Sequence, residues 1–188
     1  MLHAVVEAVR PYELKARDPE SGDVRVVIDT PAGSRNKYKL DESTGLFRVS
    51  RILPRGMAFP HDFGSVPGTC AEDGDPLDVL VLGMAPSFPG CLVNVRLIGV
   101  LRAAQTERGK SIRNDRLIGC ASTPVNRPAI TELKSLDPQH LHEIEEFFYA
   151  YNHAQGRPFR VTGRGGARAA EAMLKRAERS YSSTHTQP

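Results

Sequence analysis

Short apolar stretches separated by turn residues dominate the chain up to Asp137, and helical periodicity appears only after it. Val93, Val95 and Leu97 alternate with Asn94 and Arg96, the two-residue period of a half-buried strand. The longest core-like run, Val79, Leu80, Val81 and Leu82, is strand-sized. The pattern predicts strands at 2–9, 24–30, 77–82, 91–104 and 116–122, and a hairpin of 38–40 with 46–52 across the turn at 41–45. Two helices follow. Asp137 is placed as an N-cap with Pro138 at the first helical position, and Leu141, Ile144, Phe147, Phe148 and Tyr151 recur at helical spacing until Asn152 and Gly156. The second spans 165–180, with Ala169, Met173 and Ala177 on one face, and the polar tail 182–188 reads as disordered. With no helix before Asp137, a βαβ sheet is disfavoured. The order of elements predicts an α+β, mainly β domain over 1–181, a closed or nearly closed small β-barrel flanked by two C-terminal helices.

Composition supports a globular chain. Of 188 residues, 40% are hydrophobic and 25% charged, which excludes a disordered polymer, and no apolar run approaches the ~18 residues of a spanning helix. No secretory signal is visible at the N-terminus, so a cytoplasmic setting without membrane contact is expected. Cys70, Cys91 and Cys120 form neither a disulfide framework nor a zinc motif and read as buried free thiols.

Charge changes the picture more. The net charge of +3 averages over a segregation: 56–95 contains no Lys or Arg but five acids, Asp62, Glu72, Asp73, Asp75 and Asp78. A surface built for nucleic acid gains nothing from such a cluster, which repels phosphates. Acid set beside a basic remainder suits a metal that bridges carboxylate to phosphate.

The sharpest feature is Glu72-Asp73-Gly74-Asp75-Pro76-Leu77-Asp78, running into the apolar strand. Four acids in seven residues repel one another, and a divalent cation relieves that cost. Asp73 and Asp75 are two apart, so on extended chain their carboxylates face one way, and Pro76 biases Asp75 toward extended geometry. Hard oxygen donors select Mg²⁺, Mn²⁺ or Ca²⁺ over zinc. An EF-hand is excluded, since its obligatory glycine place falls on Asp78.

This turn resembles the signature of the soluble, metal-dependent inorganic pyrophosphatases of family I, Asp-x-Asp-Pro-x-Asp entering a Val/Leu strand. The likeness extends over about two-thirds of the chain, through Ile28-Asp29-Thr30-Pro31, Lys37-Tyr38, the turn at 44–47, Arg51, 57–60, Phe63-Gly64 and Pro89-Gly90. The resemblance implies an OB-like closed five-stranded barrel with a long helix packed on it, and a homo-oligomer that in bacteria is often a hexamer. It implies hydrolysis of inorganic pyrophosphate to two phosphates with Mg²⁺, or Mn²⁺, as cofactor. By resemblance, Asp73, Asp75 and Asp78 stand at the metals, with Asp75 as the proton acceptor from the attacking water. Lys37, Arg51 and Tyr151 match phosphate-contacting positions, and Arg116 stands where the family has a lysine.

The departures are specific. Asp29 and Lys39 stand where the family has glutamates, Phe63 replaces a tyrosine, and Asn152 a lysine. The family's Asp-x-x-x-x-Asp-x-Lys element is stretched here over 105–116. The plain register puts Gln105 and Asn114 on its aspartate positions, with Asn114 able to coordinate the metal through its carbonyl oxygen, though less strongly than a carboxylate; a one-residue bulge makes Asp115 the ligand instead, and Glu107 is a second candidate for the first aspartate. These changes remove negative charge from the metal cage, so fewer metals are expected, or a substrate that supplies more of the charge. Two further readings stand beside the first: hydrolysis of another phosphoanhydride, such as a nucleoside polyphosphate or short polyphosphate, and a non-catalytic OB-like nucleic-acid module using Arg102, Arg108, Lys110, Arg113 and Arg116. The second is disfavoured because that segment lacks aromatic stacking platforms. The histidines form no ligand pair at a diagnostic spacing.

Overall fold

The computed structural model describes residues 14–41, 43–107, 109–122 and 129–185, so the strand expected at 2–9 lies outside it. In chain order the elements are β1 (Val24–Thr30), β2 (Asn36–Asp41), β3 (Leu46–Ile52), β4 (Asp62–Ser65), β5 (Asp78–Leu82), β6 (Leu92–Glu107), β7 (Lys110–Arg113) and β8 (Arg116–Ala121). A 3-10 turn at Leu133–Ser135 leads into α1 (Pro138–His153), β9 (Phe159–Gly166) and α2 (Ala167–His185).

Five strands close on themselves. β1 pairs with β4, β4 with β5, β5 with β8 in parallel, β8 with β6, and β6 returns to β1 through Val24↔Val95 to Val27↔Leu92. This ring is the closure expected from the order of elements, with the five strands that the resemblance implies. The long β6 continues past it to pair with β9 and β7. β2 and β3 form a separate hairpin with the expected turn.

Burial of both sheet faces explains the unbroken Val79–Leu82 run. Leu80 and Leu82 join one core with Phe63, Ile118 and the α1 residues Leu141, Ile144 and Phe148. Val79 and Val81 join the other with Val95, Leu117 and the α2 residues Ala170, Leu174 and Ala177. Closure also needs a bare backbone at Gly64, where a Cβ would lie 2.2 Å from the Val27 carbonyl oxygen and force β4 off β1. Asp137 caps α1 as its sequence indicates, its carboxylate accepting the Gln139 amide at 2.8 Å.

Several expectations are corrected. β4, β7 and β9 were not foreseen. β4 is buried at all four positions and shows no alternation, β7 is a polar edge strand, and the Gly163-Arg164-Gly165-Gly166 end of β9 has too little side chain to display a period. Gly165 and Gly166 therefore close a strand instead of opening a helix. α2 buries Ala170, Leu174 and Ala177, with Ala169 and Met173 half-buried beside them. It runs on through His185, into the stretch read as disordered. The three thiols are free, but only Cys120 is buried.

Candidate active site

The acidic turn is held from three sides. The Ala71 amide donates to the Asp75 carbonyl at 2.8 Å, the Asp75 amide to Asp73 Oδ1 at 3.2 Å, and the Cys70 amide to the Ala177 carbonyl of α2 at 3.1 Å. Gly74 takes φ +87°, the left-handed region where a side chain is strained. Behind it, the Thr69 hydroxyl donates to the Val66 carbonyl at 2.6 Å and accepts from the Leu77 amide at 3.0 Å. The result is a firm edge from which Asp73, Asp75 and Asp78 face a cleft of about 470 Å³.

The hairpin supplies the opposite charge. Lys37 and Arg51 are paired across the β2–β3 ladder and both line the cleft. Like charges directly opposite destabilise a sheet, so this placement favours an anion between them. Lys37 Nζ sits 4.3 Å from the Phe63 ring centroid and Arg116 5.9 Å, both within cation–π reach. Phe63 thus lacks a hydroxyl but supports two cations. Arg51 donates to Gln155 and lies 3.5 Å from the Tyr151 hydroxyl, and Tyr151 packs edge-on against Phe59.

Among the described residues, the far wall carries no carboxylate from the stretched element. Asn114 faces the cleft and donates to Gln105 Oε1 at 2.5 Å, and Arg116 donates to Asn114 Oδ1. Arg116 Nη1 also lies 2.8 Å from Asp78 Oδ2. Asp115 is not brought to the cleft. Its Oδ1 accepts from the Ala103 amide at 3.0 Å and its Oδ2 from Arg113 Nε at 2.7 Å, so both oxygens are engaged by the protein. Of the two candidates, Asn114 lines the cleft and Asp115 does not. The side chain of Glu107 lies outside the described residues.

At the floor, Asp29 is buried, and its pKa is pushed up to about 7, chiefly by that burial and further by Asp78 and Asp75 against the opposing pull of Lys37 and Lys39. Burial also raises the Asp73 carboxyl, opposed by the hydrogen bond from the Asp75 amide. Lys39 Nζ lies 3.2 and 3.3 Å from the two Asp75 oxygens. Asn152 turns its amide back to the Phe148 carbonyl at 2.8 Å.

Sequence reasoning missed Gln155 and Arg157, which line the cleft just past α1 and carry no motif. It also missed that His61 and His140, 79 residues apart, meet with Nε2 atoms 2.7 Å apart. The basic segment 102–116 is not one surface. Arg113 is bound to Asp115 and reaches Glu72 at 3.6 Å, Arg116 is buried in the cleft, and Arg108 lies outside the described residues.

The donors are hard oxygens, which suit Mg²⁺ or Mn²⁺. Among the described residues no three His, Cys, Asp or Glu side chains converge closely enough to enclose an ion alone. A Mg²⁺-type ion held by one or two carboxylates completes its shell with water and phosphate oxygens.

The inorganic pyrophosphatase family model matches residues 26–182. The chain is 37% identical over 158 residues to the inorganic pyrophosphatase of Geobacillus stearothermophilus, an alignment covering 82% of this chain and 92% of that one. It is 34% identical over 166 residues to that of Synechocystis sp., covering 87% and 94%. The crystal structure of the inorganic pyrophosphatase from Thermus thermophilus superposes with a TM-score of 0.82 at 31% identity, over 92% of this chain and 99% of that one.

Proposed function

The chain belongs to the inorganic pyrophosphatase family, and we propose that Asp75 accepts the proton of the attacking water while Asp73 and Asp78 hold the activating divalent cation. It is an inorganic diphosphatase: water cleaves the P–O–P bond of pyrophosphate to give two phosphates. The observation that carries the residue assignment is the placement of the acidic turn and the pair Lys37 and Arg51 around one cleft.

Held by Asp73 and Asp78, a divalent cation would supply a lowered pKa for the attacking water and neutralise phosphate oxygens, so that an ordinary carboxylate such as Asp75 would suffice as the base. Lys37 and Arg51 bind one phosphoryl group, and the Tyr151 hydroxyl beside Arg51 adds a donor. Arg116, with Nε buried and unpaired among protein groups, donates to the other. Gln155 fixes the guanidinium of Arg51.

Mg²⁺ is the assigned cofactor, with Mn²⁺ able to replace it on the same oxygen donors. A cytoplasmic homo-oligomer, a hexamer on the bacterial pattern, is part of the same proposal; exposed Leu46, Ile52 and Phe88 support an assembly surface. No helix of the described residues is long and apolar enough to cross a membrane. Phosphate release from pyrophosphate, ATP and tripolyphosphate with Mg²⁺ and with Mn²⁺ tests the reading. A large preference for pyrophosphate is expected, and equal turnover of ATP would overturn it.

A further inference from the structure

Two of the three carboxylates that the acidic turn brings to the cleft are already faced by a cation of the chain. Lys39 Nζ contacts both oxygens of Asp75, at 3.2 and 3.3 Å, and Arg116 lies 2.8 Å from Asp78. Lys39 reaches Asp75 because it is two residues beyond Lys37 on β2, so the strand turns both toward the cleft. Across from them, where carboxylates would recruit further ions, Gln105 and Asn114 bond to each other as neutral amides. Among the described residues lining the cleft, five cations (Lys37, Lys39, Arg51, Arg116 and Arg157) face four carboxyl groups (Asp29, Asp73, Asp75 and Asp78). A site of that balance has no negative surplus with which to gather several divalent ions.

We propose that Lys39 is a tethered counter-ion, standing at Asp75 in place of one divalent cation, so that the enzyme without substrate holds fewer metal ions and the rest arrive on pyrophosphate as its metal complex. The inference rests on the reading of the cleft given above. Its distinct content is that a side chain on the hairpin sets the metal count. The Lys39 and Asp75 side chains are 58% and 64% exposed, so the ion pair is screened and the ammonium can swing aside on its flexible stem when the substrate's own cation enters. Lys39 acts through Asp75 and is a positioning residue.

Mn²⁺ binding to the substrate-free protein, counted by electron paramagnetic resonance, tests this without turnover. Lys39→Gln removes the charge and adds no carboxylate; it is expected to tighten Mn²⁺ binding roughly tenfold or to add one bound ion per chain, because a positive charge a few ångströms away repels a divalent ion strongly. Lys39→Arg keeps the charge and is expected to bind Mn²⁺ as the unaltered protein does. Equal count and affinity in the unaltered protein and Lys39→Gln would overturn the proposal, as would equal binding by Lys39→Gln and Lys39→Arg. Retained hydrolysis in Asp75→Asn would remove the assignment of the base while leaving the Mn²⁺ counts to stand or fall separately.

Discussion

On one wall of the cleft the turn through Asp73, Asp75 and Asp78 presents three carboxylates; on the other, Gln105, Asn114 and Arg116 present two amides and a guanidinium. The first wall has the chemistry to hold a divalent cation and take a proton. The second can orient, donate and neutralise, and can bind a cation only through neutral amide oxygens. Hydrolysis of a highly anionic substrate needs both functions. Here they are divided between walls, with the cation supplied partly by the protein itself.

The largest expected break in that comparison is Asp75→Asn, which keeps size and fold but removes the proton acceptor. It should lower kcat on the order of 10²–10⁴-fold, whereas Asn114→Ala on the opposite wall should cost far less, both read by phosphate release.

Asp29, at the floor between the walls, comes next. The folded protein keeps its proton up to about pH 7, while the unfolded chain releases it near 3.8. The folded state therefore binds more protons between those values, and its stability falls as pH rises across that window. Asp29→Asn should abolish this decline and be the more stable form above pH 7, by roughly a few kcal/mol, in urea melts of the metal-free protein.

Arg51→Gln removes a charge-assisted contact to phosphate worth about 1.5–3 kcal/mol and should raise KM for pyrophosphate roughly ten- to a hundredfold, with kcat less affected. The smallest effect expected sharpens the comparison by making the walls alike. Gln105→Asp with Asn114→Asp places carboxylates where amides now bond at 2.5 Å. Mn²⁺ should bind about tenfold more tightly in calorimetry, and the metal-free protein should melt lower from like-charge repulsion.

Much of this was legible in the chain. The acidic turn, the β2–β3 hairpin, β1 and the capped α1 each follow from local signals, turn chemistry or periodicity, that need no distant partner. The rest depended on contacts that sequence spacing does not encode. β4 shows no alternation because both of its faces are buried, and its Asp62 is a structural acceptor for the Ala32 amide at 2.7 Å and the Ser87 amide at 3.1 Å. Nothing in the spacing of 105–116 shows that Arg113 and the Ala103 amide engage both oxygens of Asp115, which leaves Asn114 lining the cleft. The facing of His61 and His140 follows from α1 docking near the start of β4, and burial together with His140 lowers the His61 pKa.

β6 pairs with β1, β7, β8 and β9, joining segments from Val24 to Gly166 along one strand. That connectivity makes the order of assembly predictable. The hairpin β2–β3 and helix α1 depend on near neighbours and form early, whereas the ring waits for Leu92–Val95 to find β1, about seventy residues upstream, after a costly loop closure. Capture of this one strand is therefore expected to set the rate of folding, and native-state hydrogen exchange should find the amides at its centre, around Leu97 to Leu101, the last to exchange.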